Sequence, residues 1–133
     1  MLKLEIVTPE RRVVDIEADS VTIPTASGEA GILGNHAPLI SALKPGVLSY
    51  AVKGATEKLA VSTGFVEVSG NQVSVLTDVA ESSEEVDAVQ AKADREEAEK
   101  ELAANATAKA EDNAGTRERL ELANARLSLA AGR

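Results

Sequence analysis

The sequence lacks cysteine and tryptophan, and its 133 residues include one histidine, one tyrosine and one phenylalanine. Without cysteine, disulfide bonds and thiolate-bound metals are excluded. The single histidine, His36, cannot build a multi-histidine zinc or copper site. Few aromatic rings and a net charge of −8 argue against nucleic-acid binding, which uses basic patches and stacking rings. We therefore expect no metal, no cofactor and no nucleic-acid partner.

Long apolar runs are also absent, and none approaches the roughly 20 residues that cross a bilayer. The first six residues alternate apolar and charged side chains, which predicts a strand rather than a signal peptide. The length is typical of one domain, or of a small domain with an appendage. We expect a soluble chain.

The composition changes abruptly near residue 82. All four prolines and seven of the nine glycines precede this point, whereas the remainder is rich in alanine and charge. The sequence therefore predicts a β domain over residues 1–82 and a helical domain over 83–133.

The first domain contains short runs of alternating or β-branched residues separated by turn signals. These runs predict strands at Leu2–Val7, Val13–Ala18, Val21–Pro24, Val47–Lys53, Leu59–Thr63, Phe65–Ser69 and Val73–Thr77. Such spacing favours an antiparallel β-sandwich or flattened barrel. Gly70-Asn71 predicts a two-residue hairpin turn between the last two strands.

The second domain predicts an antiparallel helical hairpin. Ser82 and Glu85 form a possible capping box, so the first helix is expected over about 83–110. The run 112–115 is a stop signal, and Thr116 is the expected N-cap of a second helix ending near Ala131.

Small residues dominate the expected contact between these helices. The predicted face of the first helix holds Ala91, Ala98 and Leu102, and that of the second holds Leu120, Ala123, Leu127 and Ala130. Alanines bury little area, at roughly 0.8 kcal/mol per CH₂, so we expect a marginally stable hairpin that can undock. Acids dominate residues 81–112, whereas residues 113–133 carry four arginines, Arg117, Arg119, Arg126 and Arg133.

The segment 24–38 packs three glycines, two prolines and His36 into fifteen residues. We expect a tightly shaped surface loop containing a short strand. A phosphate-binding loop would lead from a strand into a helix, and no helical pattern follows here. A hydrolase would have to use His36 with Ser27 or Ser41, but no nucleophile elbow is present. We therefore expect no catalytic residue.

One family shares this arrangement. The motif Gly28-x-x-Gly31-Ile32-Leu33-x-x-His36-x-Pro38, a strand opening at Gly64-Phe65 and an alanine-rich hairpin resemble the ε subunits of F-type ATP synthases. The resemblance covers the whole chain. It implies a non-catalytic rotor subunit that helps couple proton translocation to ATP synthesis, with helices that restrain ATP hydrolysis.

The resemblance also implies partners and their contact residues. The loop with Gly28, Glu29 and Ala30 would face the ring of membrane-embedded c subunits, and His36, Pro38 and Ser41 would lie toward the γ subunit. Extended helices would reach the catalytic α and β subunits, with Arg117, Arg119 and Arg126 as the inhibitory contacts. The expected location is peripheral, on the cytoplasmic face of a bacterial inner membrane or the stromal face of a thylakoid.

The chain departs from the family pattern at a motif for ATP binding. Some members bind ATP through Ile/Leu-Asp-x-x-Arg-Ala, which this chain matches at Asp87 and Ala91 but replaces with Gln90 at the arginine. A glutamine cannot supply the charge-assisted bond that a phosphate needs. This weighs against the alternative hypothesis of a stand-alone ATP-responsive sensor module.

Overall fold

The computed structural model describes residues 1–132, and its N-terminal part is a ten-stranded sheet. The strands are β1 (Leu2–Val7), β2 (Arg12–Ala18), β3 (Ser20–Thr25), β4 (Gly28–Leu33), β5 (Leu39–Leu43), β6 (Gly46–Val52), β7 (Ala55–Val61), β8 (Gly64–Ser69), β9 (Gln72–Thr77) and β10 (Ala80–Ser82). Paired neighbours follow the order β10-β7-β6-β3-β5-β8-β9-β1-β2, and β4 pairs with β3. The predicted sandwich or flattened barrel is confirmed.

The strand pairs are antiparallel except for β1 and β9, which run parallel. Their register sets Leu4 opposite Val73 and Ile6 opposite Val75. Because β1 also pairs with β2, the first strand of the chain joins the N-terminal hairpin to the last long strand of the sheet. This long-range pair is a feature that local alternation does not predict.

Aliphatic side chains on alternate strand positions form the main core. Side chains point to opposite faces along a strand, so every second residue of β1 (Leu2, Leu4 and Ile6) is fully buried. All buried members of this cluster lie between Leu2 and Ala80. A core confined to this segment supports the proposed domain boundary near residue 82.

The prediction missed two strands. The short strand expected inside segment 24–38 is confirmed as β4, and the Gly70-Asn71 turn joins β8 to β9 with Gly70 at φ 60°. However, β5 and β10 were not predicted. The β5 segment follows a proline and does not alternate, and β10 has only three residues, which is too short for a periodic signal.

The first helix, α1 (Ala88–Ala104), is shorter than predicted at both ends. Ser82 and Glu85 do bond to each other, but in a turn ahead of the helix. The N-cap is Asp87, whose Oδ1 accepts a hydrogen bond from the Gln90 backbone N–H at 3.0 Å. The capping box therefore closes the linker and does not start α1.

The predicted start of the second helix is also wrong. A 3₁₀ helix covers Ala110–Asn113 and runs directly into α2 (Ala114–Ala131), so the run 112–115 begins a helix instead of stopping one. Thr116 lies inside α2, and its hydroxyl donates to Glu101 Oε2 at 3.1 Å. The end of α2 at Ala131 agrees with the prediction, and Arg133 lies outside the described residues.

The two helices pack against each other and against the sandwich. Of the residues predicted for the helix–helix contact, Ala91, Ala98 and Ala123 are buried, whereas Ala130 packs on the sandwich side of α2. The hairpin is docked on the sandwich, where α2 lies on β6 and β7, two strands that the sequence did not single out for this contact. A second, small cluster forms there from Ala60, Val86, Ala125 and Leu129.

Gly64 allows a close approach of β8 to β9, because a Cβ atom there would lie 1.8 Å from the carbonyl oxygen of Leu76. We expect Gly64→Ala to lower the free energy of unfolding by about 3 kcal/mol or more, since backbone atoms cannot yield cheaply. Gly31→Ala is the matched control, because its Cβ would meet nothing within 4 Å. Urea denaturation measures both, and equal stabilities would contradict the expectation.

Candidate functional site

Glu29 is exposed near the start of β4, directly after the turn that joins β3 to β4. Gly28 adopts φ 111°, and the Thr25 hydroxyl donates to its carbonyl oxygen at 2.5 Å. The same hydroxyl accepts from the Ser27 backbone N–H at 3.2 Å. Gly28 and Glu29 are exposed and Ala30 is half-buried. A braced turn therefore carries an acid at a fixed place on the surface.

The segment after β4 is held by the β8–β9 turn. Asn35 adopts φ 62°, and its backbone N–H donates to Asn71 Oδ1 at 2.7 Å. His36 is half-buried, with Nδ1 2.6 Å from the carbonyl oxygen of Ala37. Pro38 is exposed and leads into β5. Asn71, which sequence reasoning treated only as a turn residue, thus positions this segment.

The serine and histidine positions do not form a catalytic group. Ser27 and His36 lie beyond opposite ends of β4, and six extended residues span roughly 20 Å. The Ser41 hydroxyl donates to the carbonyl oxygen of Ala42 at 3.2 Å. Ser41 is paired with buried Val66, so its side chain lies on the core side of β5.

The opposite side of β5 contributes to an exposed apolar face. Ile40, Phe65 and Leu76 are 79%, 64% and 57% exposed. Ala42 pairs with Phe65, and Phe65 pairs with Leu76, so these residues cross three neighbouring strands on one side of the sheet. We call Ile40, Ala42, Phe65 and Leu76 the apolar face. Sequence reasoning missed it because β5 was not predicted.

A groove of about 960 Å³ runs beside the apolar face. Phe65 and Leu76 line one side, and Glu118 and Glu121 of α2 line the other. Lys44 Nζ lies 3.5 Å from Glu121 Oε2 and joins the helix to the sandwich at this groove. The position of α2 therefore determines the shape of the groove.

The predicted inhibitory arginines are engaged in the folded hairpin. Arg119 pairs with Glu101 of α1 at 2.5 Å, and Arg126 Nε pairs with Glu81 Oε1 of β10 at 2.5 Å. Arg117 instead donates to the carbonyl oxygen of Ala110 at 3.1 Å. In this conformation, therefore, none of the three guanidinium groups lacks a partner.

The positions of the nucleotide motif serve structural roles. Asp87 caps α1, Ala91 is buried, and the Gln90 side-chain amide donates to Asp94 Oδ1 at 2.8 Å. A cleft of about 250 Å³ between the helices is lined by Asp94, Glu97, Arg119, Leu122 and Arg126. Its arginines are already paired with acids, which leaves no free cation for a phosphate.

Glu85 holds the linker between β10 and α1 in place through its side-chain contacts. Its Oε1 accepts from the Ser82 backbone N–H at 3.1 Å, and its Oε2 lies 3.0 Å from Arg11. The Ser82 backbone hydrogen bond lowers the pKa of Glu85, and the Ser82 hydroxyl and Arg11 add to this effect. The carboxylate thus ties β10 to the loop after β1.

Within residues 1–132, no helix combines the length and apolar character that crossing a membrane requires. Across the same described residues, no group of three or more histidine or acidic side chains is placed to hold a metal ion.

A family model for the β-sandwich domain of ATP synthase delta/epsilon chains matches residues 1–83. The chain belongs to this family. It is 52% identical over 99 residues to the ATP synthase epsilon chain of Desulfitobacterium hafniense strain Y51, covering 74% of this chain and 75% of the relative. It is also 39% identical over 128 residues to the ATP synthase epsilon chain of Syntrophobacter fumaroxidans, covering 96% and 87%.

Solved structures agree with this assignment. A chain in the cryo-EM structure of Euglena gracilis mitochondrial ATP synthase (OSCP/F1/c-ring, rotational state 1) matches with a TM-score of 0.78 and 25% identity, covering 98% of this chain and 81% of that one. A chain of the Tetrahymena thermophila central stalk/c-ring structure shares the fold with a TM-score of 0.54 at 18% identity, covering 63% and 68%. The expected family resemblance is confirmed, and the chain is a non-catalytic epsilon-type subunit of F-type ATP synthase.

The lowered pKa of Glu85 predicts a pH-dependent contribution to stability. A group whose pKa is depressed by folding stabilises the fold above its unfolded pKa, here 4.5, and this contribution is lost as pH falls through the folded value. Glu85→Gln should therefore destabilise the chain at pH 7 but have little effect below the folded pKa. Urea denaturation of both chains across this range measures the difference, and a pH-independent difference would contradict it.

Proposed function

We propose that the chain binds the γ subunit through the apolar face, contacts the c-ring through the β3–β4 turn and restrains ATP hydrolysis through α2. In this role it helps couple proton translocation to ATP synthesis as part of the rotor. The observation that carries the proposal is the apolar face, where three large side chains are more than half exposed on adjoining strands.

The apolar face has the chemistry of a protein interface. Contiguous exposed apolar patches mark interaction sites, and aromatic side chains are enriched at interface centres. His36 and Pro38 lie on the segment that leads into β5, next to this face. We propose that they form its rim toward γ. Ser41 points to the core side, so Ile40 and Ala42 supply the contact on this strand.

Glu29 suits a polar contact with the loops of the c-ring. It is exposed and follows Gly28 at the start of β4, next to a turn braced by Thr25, and the half-buried Ala30 comes after it on the same strand. Rim ion pairs are worth only about 0–1 kcal/mol each. We propose that Glu29 orients the sandwich on the ring and contributes little to its affinity.

The arginines of α2 would act on the catalytic α and β subunits. In the folded hairpin they pair with acids of α1 and β10, and these pairs must break before the arginines can meet acids of another chain. The contacts of the arginines are largely electrostatic both in the folded hairpin and with another chain. The folded and extended conformations are therefore similar in free energy, and the available partners determine which one predominates. We propose that the subunit lies peripherally on the membrane, at the cytoplasmic face in a bacterium or the stromal face in a plastid.

The alternative of an ATP sensor has no supporting contact. Gln90 bonds Asp94, and Asp87 caps α1, so the motif is used to build the hairpin. The rotor role is therefore the function that the geometry supports best.

Phe65 offers a direct test of the γ interface. Phe65→Ser should weaken binding to purified γ subunit by about tenfold or more, because truncated aromatic anchors commonly cost over 1 kcal/mol. Leu33→Ser is the matched control, since Leu33 is equally exposed at 64% but lies on β4. Calorimetry gives both dissociation constants. Equal losses for the two variants, or none for Phe65→Ser, would refute the assignment.

The proposed restraint of ATP hydrolysis by α2 is tested by removing residues 113–133, or by changing Arg119 and Arg126 to glutamate. Either change should raise ATP hydrolysis by the reconstituted enzyme and leave synthesis nearly intact, because the cationic contacts to the catalytic subunits are lost. Arg95→Gln is the control, since Arg95 pairs only with Glu99 along α1 among the ion pairs of residues 1–132. If hydrolysis is the same in all chains, the arginines only solubilise an alanine-rich helix.

A further inference from the structure

Arg126 occupies the junction of three elements. It lies on α2, its Nε pairs with Glu81 of β10, and its Nη1 lies 3.9 Å from Asp94 of α1. Among the ion pairs of residues 1–132, it is the one cation with partners on both the sandwich and the other helix. Its side chain is 23% exposed, so water screens these contacts less than those of a surface pair.

Gln90 extends this group of side chains by one member. Its amide donates to Asp94 Oδ1 at 2.8 Å, while Asp94 Oδ2 faces Arg126. Gln90 and Asp94 are one helical turn apart, so the amide fixes the carboxylate on the side of α1 that meets α2. Glu81, Arg126, Asp94 and Gln90 thus form one chain of polar contacts, which we call the latch.

The other attachments of the hairpin to the sandwich are weaker. Arg11–Glu85 and Lys44–Glu121 are exposed pairs, with about half of each cation accessible. The apolar contact has four buried members, two of them alanine, and three partly buried ones around them: Ala60, Val86, Ala125 and Leu129, with Val47, Leu122 and Ala130. Directional polar contacts therefore decide whether the helices stay docked.

We propose that the latch holds the hairpin on the sandwich without any ligand, and that Arg126 is its central residue. Arg126 is a positioning residue: losing it leaves Glu81 and Asp94 facing each other across the junction, which favours undocking of α2. The proposal concerns the isolated chain. Any effect of the latch on ATP hydrolysis rests on the proposed function. The experiment below tests the latch in the isolated chain, without the enzyme complex.

Undocking can be followed by alkylation of an introduced cysteine. Because the sequence has no cysteine, the introduced thiol is the only one that reacts. Ala60 is fully buried on β7 beneath Ala125 and Leu129, so a thiol from Ala60→Cys reacts only when α2 lifts. Val66 is fully buried in the main core, so a thiol from Val66→Cys reacts only when the sandwich opens. Alkylation rates at the two positions separate local undocking from unfolding.

In the Ala60→Cys background, Arg126→Gln should raise the alkylation rate by about tenfold, as expected for a half-buried ion pair. The rate in the Val66→Cys background should not change. Arg119→Gln is the matched control, because Arg119 joins α2 to Glu101 of α1 and not to the sandwich; it should leave the rate within about twofold. The exchange Arg126→Glu with Glu81→Arg should recover part of the protection.

Two results would overturn the proposal. Unchanged alkylation of the Ala60→Cys thiol in Arg126→Gln would show that apolar packing alone holds the hairpin. Equal acceleration at both thiols would show that Arg126 supports the whole fold and is not a latch. Neither result bears on γ binding by the apolar face, so failure here is distinguishable from failure of the proposed function.

Discussion

The register shared by β5, β8, β9 and β1 is the constraint on which the other features depend. Ser41, Val66, Val75 and Ile6 are paired in turn across these strands and lie on the core side. One residue along, Ala42, Phe65 and Leu76 are paired in the same way and lie outside. Because side chains alternate, a slip of one residue would bury the apolar face and expose the core. The core and the proposed interaction surface are therefore two consequences of one strand register.

Local sequence patterns predicted most strands of this sheet. They failed where contacts between distant residues determine whether a strand forms or where a helix begins. Alternation identified seven of the strands, and Gly70-Asn71 identified a turn. β5 was missed because its strand character comes from pairing with β8, and its residues do not alternate. The start of the first helix was wrong for a related reason. Glu85 pairs with Arg11 of the loop after β1, 74 residues earlier in the chain, and a local capping rule does not include such a contact.

The candidate site was predictable only through its motif. The glycine and histidine positions indicated where the β3–β4 turn and the segment before β5 lie, and both are on the surface. Nothing in the spacing of Ile40, Phe65 and Leu76 indicated a shared exposed face, since they come from strands separated by up to 36 residues. The partners of Arg119 and Arg126 also lie far along the chain. Both partners, Glu101 and Glu81, belong to the acid-rich run 81–112, but nothing in the sequence indicated which acid each arginine meets.

The molecule divides its stability between two unequal cores. The sandwich buries twelve large aliphatic side chains almost completely, whereas the cluster under α2 has four buried members, two of them alanine. Local opening follows the least-buried contacts, so the hairpin should separate from the sandwich well before the sandwich unfolds. This difference in stability suits the two proposed tasks: the rigid sandwich would present a surface of fixed shape, and the loosely held helices would move without disturbing it. The ionic contacts of α2 fit this proposal, because an arginine that leaves one acid can pair with an acid of another protein, whereas a buried apolar contact has no such replacement in water.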